Sequence, residues 1–211
     1  MNCSIRTDSS LHRERHRFTP CLFAALLSLC YLFFHLHHMQ QFVDYDQYVY
    51  MSNVLLGIPS DHALYNPHHL HFETTGKYFH IFMETFLGDA GFTDPGFNLR
   101  LRSLLFSCIG IFFTVLFLSE ATGKVTWGVI GGLLTGFSHA YMQYATKIDT
   151  GIFAAAWLPP ILWILTRTVH ARRGAIPLGV VTGVFLGTGV LFHQYLGIAC
   201  AVVCIVMVLP P

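Results

Sequence analysis

A series of long apolar runs dominates this chain, and a lipid bilayer is the solvent that suits such runs. The first, Cys21 to Met39, reads CLFAALLSLCYLFFHLHHM and contains no Asp, Glu, Lys or Arg. A crossing of a hydrocarbon layer about 30 Å thick takes roughly 20 such residues. Further runs follow at Leu101 to Ser119, Val125 to Tyr144 and Gly151 to Thr166. Pro159-Pro160 sits inside the last of these and predicts a kink. From Ile176 to Leu209 the chain stays apolar except at FHQYLG. That break divides it into two short spans, Ile176 to Phe192 and Leu196 to Leu209, one long tilted helix being the alternative. Only 11% of residues are charged, against about 25% in soluble domains. The expected fold is all-α: a polytopic transmembrane helix bundle of about six spans, near 21–39, 101–119, 125–144, 151–166, 176–192 and 196–209, with a partly helical first exoplasmic loop.

The distribution of basic residues sets an orientation. Residues 1–20 form a basic tail with Arg6, Arg13, Arg15 and Arg17, which places the N-terminus in the cytoplasm. A signal peptide shares the basic start and apolar core, but no A-x-A-like cleavage site follows, and His35, His37 and His38 close the run. A retained anchor is expected. Six alternating crossings then put SEATGK and TRTVHARRGA inside and the loop 40–100, ATKIDTG and HQYLG outside. The outside segments hold Lys77, Lys147 and the boundary residue Arg100 against eight acidic residues, so the basic bias agrees with every crossing.

The first exoplasmic loop, 40–100, is the longest connection, and its many aromatic and aliphatic residues are not those of a flexible linker. QYVYMSNVLLG suits a short amphipathic helix with Tyr48, Met51, Val54 and Leu55 on one side. GKYFHIFMETFLG suits a second, with Tyr78, Phe82, Met83 and Phe86 together. Such helices lie on a membrane surface or cap the bundle. Between them YNPHHLHF reads as a turn or extended segment. The loop opens with Asp44 and Asp46 flanking Tyr45. Paired carboxylates there serve as a general base, as metal ligands or simply as solvated charges. Arg100, Arg102 and Lys147 stand at span ends, where cations either hold a phosphate or snorkel to the interface.

Thirteen histidines collect mostly toward the same face. His68 and His69 with His71 resemble a ligand run, but adjacent histidines rarely complete a metal site, and wall positions in a polar cavity suit them better. No metal ligand set is assigned, and a divalent cation stays open as a cofactor. His193 and Gln194 mark a polar break between apolar runs, a functional position in membrane proteins. The six cysteines show neither a disulfide framework nor zinc spacing, and Cys200-x-x-x-Cys204 reads as packing. A net charge of +1 gives no reason to expect nucleic acid. GGLLTG and GVVTGVFLGTGV are small-residue packing faces rather than nucleotide loops.

The order of parts matters more than any one motif. A basic tail and one span lead to D-x-D, then to two amphipathic helices, then to an Arg-led span, NLRLRSLLFSCIGIFFTVLFL, and to GFSHAYMQYATKIDTGIFAAAWLPPILWIL. This order resembles the N-terminal portion of the GT-C superfamily of integral-membrane glycosyltransferases, in the branch of protein O-mannosyltransferases and aminoarabinose lipid A transferases. The resemblance implies a polyprenyl-phosphate-linked sugar as donor, a lipid or protein acceptor, and an aspartate of the first outside loop as catalytic residue. Asp44 or Asp46 matches that acidic motif, which here is D-x-D where some branches have Asp-Glu. Arg100, Arg102 and Lys147 would meet the donor phosphate, and His68, His69, His193 and Gln194 would line the cavity. Members of the superfamily run well beyond 211 residues, so a chain truncated at the C-terminus is expected. A bacterial inner membrane is expected ahead of the endoplasmic reticulum. The rival expectations are a His-rich membrane transporter for metal ions and a non-catalytic membrane protein fragment. A transporter would carry polar residues inside several spans, whereas here they gather at one face.

Overall fold

The computed structural model describes residues 8–39, 48–52, 70–170, 175–192, 197–198 and 201. Among these the chain is all-helical, with no strand. Seven α-helices follow one another: α1 (Asp8–His37), α2 (Leu70–Leu87), α3 (Pro95–Thr122), α4 (Val125–Gly136), α5 (His139–Ala145), α6 (Gly151–His170) and α7 (Ala175–Phe192). Residues 48–52 are also helical, and a 3-10 turn, Gly88–Ala90, joins α2 toward α3. Among the described residues three helical segments are long and apolar enough to cross a membrane: Phe18–His37, Pro95–Thr122 and Gly151–Thr168.

The central element is α3. Its start is well specified: Pro95 occupies the first turn, and the Asp94 carboxylate accepts from the backbone N–H groups of Gly96 at 2.9 Å and Phe97 at 3.1 Å. It ends where Gly123 takes a left-handed φ of 68°. Its 28 residues make a rod about 42 Å long, longer than a hydrocarbon core. Helices α1, α2, α4, α5 and α6 all pack on it. Buried residues therefore run along its length, from Leu99 and Leu104 through Cys108 and Ile111 to Val115 and Leu116, while Ile109 stays exposed. A helix that is apolar all round belongs inside a bundle.

Two clusters fill the core. The larger joins Tyr31 of α1, Phe72 of α2, Leu99, Leu104 and Ile111 of α3, Tyr141 of α5, and Ile148, Ile152 and Phe153. The smaller joins Ala24, Val115 and Leu116 near the other end of α3. The α3–α6 contact is close because Gly110 has no side chain: a Cβ there would stand 2.7 Å from the Ala156 Cα and would collide with the Tyr141 hydroxyl. Helix α7 is tied to α6 by Trp157, whose indole N–H donates to the Phe185 carbonyl at 2.7 Å while the two rings stack at 5.2 Å. At the far end Arg167 donates to Glu120 at 3.0 Å and lies over the Trp163 ring at 4.3 Å. Large apolar side chains remain exposed in bands: Leu22, Phe23, Leu26, Leu29 and Phe33 on α1, Trp127 and Leu134 on α4, and Val180 and Val184 on α7. Contiguous apolar surface of this kind is what a lipid solvent permits.

Some boundaries differ from those the sequence predicts. Helix α1 begins at Asp8 and runs through Pro20, so part of the basic tail is already helical. The segment predicted as one span at 125–144 is two helices. The backbone leaves the helix at Ser138, with φ −66° and ψ 140°, and α5 starts again after it. Helix α6 stays continuous through Pro159 and Pro160. Helix α2 starts at Leu70, earlier than its amphipathic pattern indicates, so residues 70–72 of the predicted turn or extended segment are helical. Of the predicted span 196–209, only residues 197, 198 and 201 are described, and all three are helical.

A test of this packing is Gly110→Val. Overpacking against the α6 backbone is expected to cost about 1–3 kcal/mol and to lower the unfolding temperature in detergent. Gly179→Val, at a position where a Cβ meets nothing within 4 Å, should leave it nearly unchanged.

Candidate anion site at the start of the central helix

Helix α2 crosses the first turns of α3 through Phe72, Gly76, His80 and Met83, all buried. The junction holds most of the polar side chains buried in this part of the molecule. Arg102 is its centre and is 2% exposed. Its Nη1 donates to the Phe72 carbonyl at 2.6 Å and to the Thr75 hydroxyl at 3.1 Å. The guanidinium lies between two aromatic faces, 4.3 Å from the Phe72 ring centre and 4.7 Å from that of Phe153. Each face attracts the cation. The space for this arrangement comes from Gly76, where a Cβ would stand 2.6 Å from Nη1 and 3.0 Å from Leu99.

The other edge of the guanidinium is unsatisfied. Nε and Nη2 are buried and have no hydrogen-bond partner. No carboxylate among the described residues pairs with Arg102. Burying a charge without a counter-charge costs several kcal/mol. Two parallel N–H groups on one edge of an arginine match two oxygens of a phosphate or carboxylate.

Arg100 is buried too, but it takes another direction. Positions two apart on a helix do not face each other. Arg100 Nη2 approaches Asp94 Oδ2 at 3.9 Å, while its Nε is buried without a hydrogen-bond partner. The two arginines thus meet different surroundings, and only Arg102 enters the α2–α6 side. Lys147 lies in the bend between α5 and α6, half-buried, with its backbone N–H on the Tyr144 carbonyl at 3.4 Å. Its neighbour Ile148 is fully buried in the same core cluster as Phe72 and Phe153. Asp149 stands just before α6 and accepts from the Gly151 N–H at 2.6 Å.

Asn98 and His80 extend the junction. Asn98 Nδ2 donates to the Phe92 carbonyl at 2.9 Å and lies 3.0 Å from His80 Nδ1. An accepting Nδ1 puts the histidine proton on Nε2, the atom facing Glu84 at 3.9 Å. Asn98 Oδ1 remains buried and without a partner. The sequence reading missed Asn98, Gly76, Thr75 and the role of Phe72. A glycine interrupting an otherwise amphipathic helix was the available signal for a close approach.

Asp44, Asp46, His68, His69, His193 and Gln194 lie outside the described residues. Among the described residues, no group of three or more His, Cys, Asp or Glu side chains is placed to hold a metal ion.

Two substitutions separate the roles in the cage. Gly76→Ala is expected to destabilise by about 1–3 kcal/mol, because the guanidinium and Leu99 must both move. Arg102→Met fills a similar volume without the charge and should leave thermal stability within about 1 kcal/mol of the parent, or raise it. A loss of more than about 3 kcal/mol would mean that a carboxylate partner had been orphaned.

No protein-family model matches this chain, and no curated protein or solved structure matches it either.

Proposed function

We propose that this protein is an integral-membrane glycosyltransferase that moves a sugar from a polyprenyl-phosphate donor to a hydroxyl of a lipid or protein acceptor. In this reading the chain crosses the membrane about six times, with its N-terminus in the cytoplasm and the loop 40–100 outside. A bacterial inner membrane is its compartment. The observation that supports the reading is Arg102: a buried cation at the end of a membrane-length helix, with Nε and Nη2 unpartnered and no acidic partner among the described residues. An anion at the membrane surface is the ligand that such a group accepts.

The chemistry follows from a lipid that keeps its tail in the bilayer and its phosphate at the boundary. The acceptor oxygen attacks the anomeric carbon, and the carbon–oxygen bond to phosphate breaks. The phosphate leaves with the bonding electron pair as polyprenyl phosphate. Asp44 or Asp46 takes the proton of the acceptor hydroxyl as general base. The leaving group gains negative charge, and an arginine edge with two free donors stabilises that gain. Arg102 is assigned this role, with Lys147 as a second cation from the neighbouring bend. Arg100, turned toward Asp94, supports the start of α3 instead of sharing the same phosphate. His68, His69, His193 and Gln194 are assigned to the cavity wall.

The test is transfer from a panel of polyprenyl-phosphate sugars by membranes containing the chain. One of Asp44→Asn and Asp46→Asn should lower the rate by about 100-fold or more at unchanged expression. Arg102→Met should lower kcat/KM by roughly 10- to 150-fold, the loss expected for one charged hydrogen-bonded contact. Absence of transfer from every donor, by protein that is folded and membrane-inserted, would refute the assignment.

A further inference from the structure

Helix α2 has three distinct sides. One is buried on α3: Phe72, Gly76, His80 and Met83. A second carries Tyr78, Phe82 and Phe86, spaced four residues apart and 68%, 53% and 70% exposed. The Phe82 and Phe86 rings touch each other at 5.0 Å between centres and leave their outer faces uncovered. The third flank, across the buried side from the aromatics, carries Glu73, Lys77 and Glu84. The sequence reading put Met83 with the aromatics, but the structure buries it and leaves Tyr78, Phe82 and Phe86 outside.

The direction and depth of α2 follow from its contacts. The Phe72 carbonyl is bound by Arg102, and His80 meets Asn98. Between these two contacts α2 advances eight residues, about 12 Å, against the first turns of α3. The exposed ion pair of Glu120 with Arg167 marks where α3 leaves the hydrocarbon at its far end. About 30 Å back along the helix from Glu120 stands Arg100. The crossing point of α2, at Asn98 to Arg102, is thus at the opposite boundary of the hydrocarbon layer.

We propose that α2 is a membrane-interface helix whose Tyr78–Phe82–Phe86 stripe lies in the boundary between headgroups and acyl chains of a phospholipid bilayer. Aromatic side chains are favoured at that level, and a helix with separate aromatic and charged flanks is suited to it. Glu73, Lys77 and Glu84 then face the aqueous side. The proposal is independent of the transferase reading.

The test uses the full chain in phospholipid nanodiscs, with p-benzoylphenylalanine placed at position 82 or, for comparison, at position 77. After irradiation, mass spectrometry should find phospholipid adducts several-fold more abundant from position 82 than from position 77. Equal yields, or adducts from position 82 that join a second copy of the chain or another of its segments, would overturn the proposal. The unsubstituted chain gives a second readout that does not depend on the variants folding. A phospholipid with a diazirine close to its headgroup should label the peptide holding Tyr78 to Phe86, and an unlabelled peptide would overturn the proposal as well.

Discussion

A helix that five others pack against constrains all its neighbours at once, and α3 is in that position. Helices α1, α4 and α6 are its largest partners, so a shift of α3 changes their contacts together. Close approach is achieved with small groups: Gly110 against Ala156, and Gly128 and Gly132 of α4 against Ser119 and Val115 of α3. Within lipid there is little hydrophobic gain in bringing helices together, since acyl chains solvate leucine well. Association then depends on dispersion between closely fitted surfaces and on hydrogen bonds. Ser28 to the Cys108 carbonyl and Tyr141 to the Ser107 carbonyl provide two such bonds onto α3.

The membrane character of the chain was legible because hydropathy sums over many residues and survives local irregularity. The spans predicted at 21–39, 101–119 and 151–166 correspond to the membrane-length segments Phe18–His37, Pro95–Thr122 and Gly151–Thr168. Boundaries were less legible for definite reasons. The tail of α1 is helical although it is charged, because hydropathy reports the solvent that a residue prefers and says nothing of its backbone. The break at Ser138 falls in an apolar stretch where no proline or charge marks it. Pro159 and Pro160 lack backbone donors, and both lie inside the single helix α6 rather than at a boundary.

Arg100 and Arg102 were legible as a pair but not as a geometry. Their spacing on a helix sends them apart, and the partners that distinguish them come from different segments: Asp94 for one, and Phe72, Thr75 and Phe153 for the other. Nothing in a linear reading joins Phe153 to Phe72. The contact exists because α2 and α6 both pack against α3 and enclose the same guanidinium between them. Gly76 is the feature that allows this, and its small size is meaningful only once Arg102 is known to lie opposite.

The Trp157 indole donates to the Phe185 carbonyl, which also accepts from the Thr188 hydroxyl at 3.2 Å. In hydrocarbon, an indole N–H that loses its acceptor finds no water to replace it. Sliding α7 along α6 by a single turn would strand that donor, whereas a small tilt about the contact would keep it. The bond therefore opposes axial sliding of α7 along α6 and fixes the register in which the unfilled glycine face at Gly179, Gly183 and Gly187 is presented.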